Sequence, residues 1–304
     1  MKRNFKMNLV CVTILMSWTS VAAQPQPTRP HIVGIAQVEF YSTNLEATGT
    51  FYKTIFGSEG KADNCEWGNI SQVIGHPNFS SLCSGQNLRL RKPPGPPSSA
   101  LLAEVVFATD DVKAMRKYLE AKKTIIKASG EQYFAVMDPE GHRIGFMPSS
   151  QSSTPQSPGG MRIIHAGFVV HDRAAEDKFY KDILGFHVYW HGGMKEGEDN
   201  WMDMQVPDGT DWIEYMLRVS PDASHKTLGV MNHIALGVPD IHAAQQQLIK
   251  NGWKSTEEPK IGRDGKWQLN LYDPDETRVE LMEFKPTKEP CCSAYTGPHP
   301  GPAQ

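Results

Sequence analysis

The chain has 304 residues, with 31 Lys or Arg against 34 Asp or Glu, for a net charge of −3. That length holds about two ordinary domains and excludes a single small module. The charges are interspersed, leaving no basic face for nucleic acid, and that class of partner is set aside.

At the N-terminus, Lys2, Arg3 and Lys6 precede a mainly apolar run from Met7 to Val21 that ends in Val21-Ala22-Ala23. This pattern predicts a secretory signal over residues 1–23, cleaved after Ala23. A membrane span is the competing reading, but the run is short and carries Asn8, Thr13, Ser17, Thr19 and Ser20. Cys11 lacks the small residue that should precede a lipidated cysteine. The expectation is a periplasmic or secreted chain with no membrane attachment after cleavage. In an oxidising compartment Cys65 and Cys83 would be free to form a disulfide.

A first domain is expected over residues 31–148, with strands starting at Gln37 to Phe40 and Glu104 to Phe107 and helices from about Leu45 and Val112. Residues 149–160, rich in Ser, Pro, Gln and Gly, read as a linker. A second domain, 161–286, opens on the strand His165 to Val170, followed by a helix capped by Asp172, running to Leu184 and ended by Gly185. Trp201 to Val206 and Trp212 to Val219 read as further strands. The pattern then restarts at His233 to Val238, with Asp240 as cap and Gly252 as terminator. The tail, 287–304, offers Cys291 and Cys292 too few partners for a metal site and reads as irregular, packed on the second domain or dangling from it.

The chain repeats itself. Phe51-Tyr52-Lys53-Thr54-Ile55-Phe56-Gly57 returns as Phe179-Tyr180-Lys181-Asp182-Ile183-Leu184-Gly185, and Asp138-Pro139-Glu140 as Asp273-Pro274-Asp275. Each copy divides into two strand–helix–strand–strand–strand units. With the stretches FYKDILG, MNHIALGVPDI and DPDETRVELMEF, this organisation resembles the vicinal-oxygen-chelate superfamily over roughly residues 31–285. That superfamily includes glyoxalase I, bleomycin- and fosfomycin-resistance proteins and extradiol dioxygenases. The resemblance implies an α+β fold of four βαβββ modules closing two tandem, half-open, eight-stranded barrels.

His165, Glu214, His233 and Glu280 each fall where the superfamily places a metal ligand. Strand alternation supports this, because His165 shares a face with Gly167 and Val169, and His233 with Ala235 and Gly237, so small neighbours leave a hollow. Two carboxylates in apolar runs are costly to bury alone, and a divalent cation answers that cost. The expected cofactor is one such ion, among Zn, Ni, Co, Fe and Mn. In the first domain the positions become Gln37, Glu104 and Gly145, and the strand Gln86 to Lys92 offers no acid, so a metal site there is read as lost. His187, His191, His225 and His242 are assigned exposed or supporting roles, and Trp190, Trp201, Trp212 and Trp267 either core packing or an aromatic pocket.

The order His, Glu, His, Glu looks like bacterial glyoxalase I and implies an isomerase or lyase that stabilises an enediolate of a vicinally oxygenated substrate, with Glu280 or Glu214 as base. An exported chain without a dedicated basic cluster suits a substrate other than a glutathione adduct. An extradiol dioxygenase using Fe(II) on His165, His233 and Glu280 is the alternative, favoured by the two-domain architecture. Against it, Tyr272 lies too close to the Asp-Pro turn to match that family's tyrosine, and Lys266, Trp267 and Gln268 stand where its histidine is expected. A non-catalytic binding or resistance protein is the third reading. Oligomeric state is not legible.

Overall fold

A computed structural model describes residues 27–56, 79–81, 86–95, 101–149 and 161–302. The signal segment, Cys65, Cys83 and linker residues 150–160 lie outside the described residues. Among the described residues no helix is long and apolar enough to cross a membrane.

The first half contains β1 (Ile32–Tyr41), α1 (Leu45–Phe56), β2 (Phe79–Ser81), β3 (Asn87–Arg91), β4 (Leu102–Thr109), α2 (Val112–Ala121), β5 (Ile126–Ser129), β6 (Phe134–Met137) and β7 (Arg143–Pro148). These strands form one sheet in the order β2-β3-β1-β4-β7-β6-β5. The second half contains β8 (Arg162–Val169), α3 (Arg173–Asp177), β9 (His187–Gly192), β10 (Trp201–Gln205), β11 (Trp212–Met216), α4 (His225–Met231), β12 (His233–Val238), α5 (Ile241–Lys250), β13 (Lys260–Ile261), β14 (Trp267–Tyr272) and β15 (Arg278–Glu283). Its sheet has eight strands, ordered β13-β14-β15-β12-β8-β11-β10-β9. The chain is α+β with two curled sheets, and the second follows the expected βαβββ plan twice. Among the described residues the first sheet has seven strands where eight were expected.

Each half is built around an antiparallel centre, β1 with β4 and β8 with β12, flanked by parallel partners: β3 and β7 in the first sheet, β11 and β15 in the second. The parallel pairs exist because a helix carries the chain back between them. Asp111, Asp172 and Asp240 cap those helices, accepting from the backbone N–H of Ala114, Ala175 and Ala243 at 2.8, 3.0 and 2.9 Å. Gly185 and Gly252, read as terminators, adopt φ of +82° and +96°. One helix differs from expectation: α3 continues as a π-helical segment, Lys178–Ile183. The wider turn lets the adjacent Phe179 and Tyr180 both enter the core.

The repeated motifs meet each other across the two halves. Asp138 Oδ1 accepts from the N–H groups of Glu140 and His142, and Asp273 Oδ1 from those of Asp275 and Thr277, so both Asp-Pro turns are closed in the same way. The first turn docks on the second half's first helix, where Tyr180 Oη donates to Asp138 Oδ2 at 3.1 Å. Glu140 there accepts from the N–H groups of His171 and Asp172. The second turn docks on α1, where Thr43 N–H donates to Asp275 Oδ1 at 3.0 Å and Thr48 Oγ1 to its Oδ2 at 3.1 Å, and Tyr52 lies beside Asp273. Gln86 and Asp211 make a second reciprocal pair: Ile163 N–H donates to Gln86 Oε1 at 2.7 Å, and Ile35 N–H to Asp211 Oδ2 at 2.9 Å.

The tail is packed on the second sheet. Cys291 and Cys292 are bonded to each other. Trp190 Nε1 donates to Cys291 O at 3.1 Å, Tyr295 Oη to Asp264 O at 2.7 Å, and Arg162 Nε to Gly301 O at 2.8 Å.

Candidate metal centre

Strand register assembles the centre. Glu214 on β11 pairs with Gly167 on β8, and Gly167 pairs with His233 on β12. Glu280 on β15 pairs with Ala235 on β12, and Ala235 with His165 on β8. The two rows are related by exchanging the two central strands, so each histidine faces across a small residue toward a glutamate. The hollow expected from alternation is real: a Cβ on Gly167 would overlap the His233 ring.

All four expected ligands converge. His165 Nε2 and His233 Nε2 are 3.1 Å apart, and Glu214 Oε2 lies 2.9 Å from the second and 3.6 Å from the first. Glu280 Oε2 is 3.8 Å from His165 Nε2. His165, His233 and Glu280 each offer one atom within 4.8 Å of the others, and Glu214 joins through its contacts to both imidazoles. His233 Nδ1 lies 3.2 Å from Met231 O; donating a proton there leaves Nε2 with a free lone pair.

Burial dominates the electrostatics. His165 and His233 are 1% and 0% exposed, and burial, with Arg278 nearby, holds both well below the usual histidine range. Both are thereby held toward the neutral form, the one that can ligate a metal. Burial pushes Glu214 and Glu280 up to about 7, opposed in each case by Arg278. Two inward-facing imidazole nitrogens and two buried acids are a donor set that fits a divalent metal.

The centre opens into a cleft of about 340 Å³ lined in part by Trp190, Trp201 and Trp212 on one side and Lys260, Arg263 and Asn270 on the other. Three of the four tryptophans thus take the pocket role, while Trp267 packs against His242, ring centroids 5.0 Å apart. Tyr272 is 41% exposed at a strand end, and Asn270, one turn of the pleat away, faces the cleft with its Oδ1 unpartnered. His191 pairs with Asp199 and His225 bonds Asp275 O, so neither reaches the centre. Sequence reasoning missed Arg278, whose Nη2 lies 2.6 Å from His233 Nε2, and the buried Asp203, in register with Glu214. Arg278 sits two residues before Glu280 on one strand, hence on the same face, and that spacing was a usable signal.

The first half has the same frame without the donors. Register puts Gln37, Arg89, Glu104 and Gly145 at the places of His165, Glu214, His233 and Glu280, with Glu39 where Gly167 stands. Glu104 is held by Tyr133 Oη and, at 2.9 Å, by Arg143 Nε, and a Cβ on Gly145 would meet the Tyr133 ring at 2.9 Å. Glu39 pairs with Arg91 at 2.5 Å.

Residues 162–281 match the model of the Glyoxalase/Bleomycin resistance protein/Dioxygenase superfamily. A lactoylglutathione lyase from Haemophilus influenzae is 28% identical over 130 residues, 42% of this chain and 96% of its own length. Among solved structures, a variant of homoprotocatechuate 2,3-dioxygenase from Brevibacterium fuscum superposes with a TM-score of 0.60 at 19% identity, covering 86% of this chain and 74% of its own. An extradiol ring-cleaving dioxygenase from the same organism gives 0.59 at 20% identity over the same shares. These structural likenesses are of fold. Residues 162–281 are thus a domain of the glyoxalase/bleomycin resistance/dioxygenase superfamily.

Proposed function

We propose that the protein is a metal-dependent enzyme of the glyoxalase I type, an isomerase or lyase acting on a small, vicinally oxygenated substrate. The observation that carries this reading is Glu214. Its Oε2 points between the two imidazoles, 2.9 and 3.6 Å from their Nε2 atoms, making a fourth donor that a three-ligand centre does not need. A divalent ion held by His165, Glu214, His233 and Glu280 would supply Lewis acidity to two adjacent oxygens. Glu280 and Glu214 flank that position from opposite strands, so either can take a proton from one substrate carbon and return it to its neighbour. Trp190, Trp201 and Trp212 exclude water and hold the substrate body. The basic N-region and apolar run of residues 1–23 favour an exported chain, and hence a substrate other than a glutathione adduct.

A second reading, an extradiol dioxygenase on Fe(II), is favoured by the two-sheet arrangement shared with the Brevibacterium fuscum enzyme, solved with 3,4-dihydroxyphenylacetate. His165, His233 and Glu280 would then be the ligands. Metal analysis of the purified chain separates the two. Zinc, nickel or cobalt lost from both the His165→Ala and Glu214→Ala variants supports the four-ligand isomerase. Iron retained by Glu214→Ala and lost by His165→Ala supports the dioxygenase. Absence of metal after reconstitution sinks both.

A further inference from the structure

We propose that Arg278 is the exchangeable counter-cation of the metal centre: in the metal-free protein its guanidinium stands in for the metal, and it gives up that place when metal binds. The inference rests on the metal-binding reading above and adds how the empty site is stabilised and how tightly it is tuned.

Four observations carry it. First, Arg278 Nη2 lies 2.6 Å from His233 Nε2, so the guanidinium donates to the lone pair that coordination requires. With His233 Nδ1 turned to Met231 O, that nitrogen has one lone pair, and it cannot serve both cations. Second, the same nitrogen is 2.9 Å from Glu214 Oε2, so the guanidinium sits where the buried donors meet. Third, Arg278 is only lightly fastened. Its Nε is buried without a partner, and its partner at the centre is an imidazole nitrogen rather than a carboxylate.

The fourth observation comes from the other half of the molecule. Val105 pairs with Ile144 as Ile234 pairs with Val279, so Arg143 stands exactly one residue before that pairing, as Arg278 does. Arg143 Nε is bonded at 2.9 Å to Glu104, the residue at the place of His233, and its Nη2 donates to Tyr133 Oη at 3.1 Å. The same arginine is thus locked by a carboxylate where no metal set exists and held by an imidazole where one does. Replacing the carboxylate by an imidazole weakens the arginine's hold and creates a ligand in the same position. The arginine in the second half also lines the cleft, which gives its side chain a route away from the centre.

The test is zinc binding by calorimetry on the full chain freed of metal, comparing wild type with Arg278→Gln, together with thermal melts of both metal-free and zinc-loaded protein. Removing the competing cation should tighten zinc binding at least about tenfold. It should lower Tm of the metal-free protein and leave that of the loaded protein near wild type. A crystal structure of the zinc-loaded wild type should show the Arg278–His233 bond broken. Zinc affinity within twofold of wild type in Arg278→Gln, or a loaded structure in which Nη2 still bonds His233 Nε2, would overturn the proposal. Wild type that binds neither zinc, manganese, nickel nor ferrous iron would instead overturn the metal reading on which it rests.

Discussion

The two sheets carry the same four positions with opposite chemistry. In the second, His165, His233 and Glu280 cluster, and Glu214 reaches both imidazoles. In the first, Gln37, Arg89, Glu104 and Gly145 occupy the same register, and the space is closed by Tyr133, Arg143 and Glu39. A candidate metal centre and an ion-paired core thus occupy the same places in one fold, and few positions separate them. The most telling is Gly167, since the first sheet has Glu39 there and a side chain at that place excludes the imidazole.

The comparison breaks most sharply at the donors. His233→Ala should abolish metal retention and lower turnover by well over a hundredfold, more than the 10- to 100-fold typical of losing a group behind the ligands. Glu104→Ala, its counterpart, should leave metal content at wild type. If both variants lose metal equally, the first half is not the inert partner its side chains describe. Elemental analysis of the two proteins is sufficient to decide.

Next comes the hollow. Gly167→Ala places a methyl group inside the His233 ring position, so the imidazole must move. Metal affinity should fall steeply, and the crowding should cost about 1–3 kcal/mol of stability. A variant with unaltered metal affinity would show that the ring has a second acceptable seat.

The first sheet's own ion pair should matter less. Glu104→Gln leaves Arg143, whose side chain is 27% exposed, with a neutral partner. Burial already raises the Glu104 pKa despite Tyr133 and Arg143, so much of the attraction is spent on desolvation. The expected loss is about 1–2 kcal/mol, read by denaturant unfolding, with no change in metal stoichiometry.

Most of this frame was legible in the sequence because it is written in repeats and alternation. The four ligand positions and the three first-sheet equivalents named from the aligned motifs agree with the strand register. What escaped reading depended on contacts between distant segments. Arg89 as the counterpart of Glu214 needs the β1–β3 register, and Tyr133 as the filler of the first site needs its ring's place beside Gly145. The role of the repeated motifs themselves was also hidden. FYK and the Asp-Pro turn look like internal features of each half, yet Tyr180 serves Asp138 and α1 serves Asp275, each across the boundary. The bonding of Cys291 to Cys292 and the tail's packing on Tyr189, Trp190 and Asp264 likewise follow from tertiary placement.

The two docking turns differ in one further respect, and it shows as a dependence on pH. Thr48 bonds Asp275 at one turn, whereas Glu176 occupies the corresponding helix position at the other, fully buried and facing Asp138. Around Glu176 are Asp138, Glu140, His142 and Tyr180; Glu140 N–H donates to its Oε1 at 3.0 Å, and its Oε2 lacks a partner. Burial, then the Asp138 charge, pushes Glu176 up to about 9. A carboxyl raised in the folded state keeps its proton while the unfolded chain releases one, so stability is fully present below the ordinary glutamate range. It is lost progressively as pH rises toward 9. Glu176→Gln keeps the shape and removes that loss. The variant should match wild type near pH 4.5 and gain on it steadily up to about pH 9, where the difference levels off. Thr48→Val at the other turn removes a hydroxyl bonded to Asp275, whose carboxyl is already held below the usual range, and should change stability by the same amount throughout that span of pH. Parallel pH–stability curves for wild type and Glu176→Gln would mean that Glu176 titrates alike in the folded and unfolded chain, and that the two docking turns are electrostatically alike.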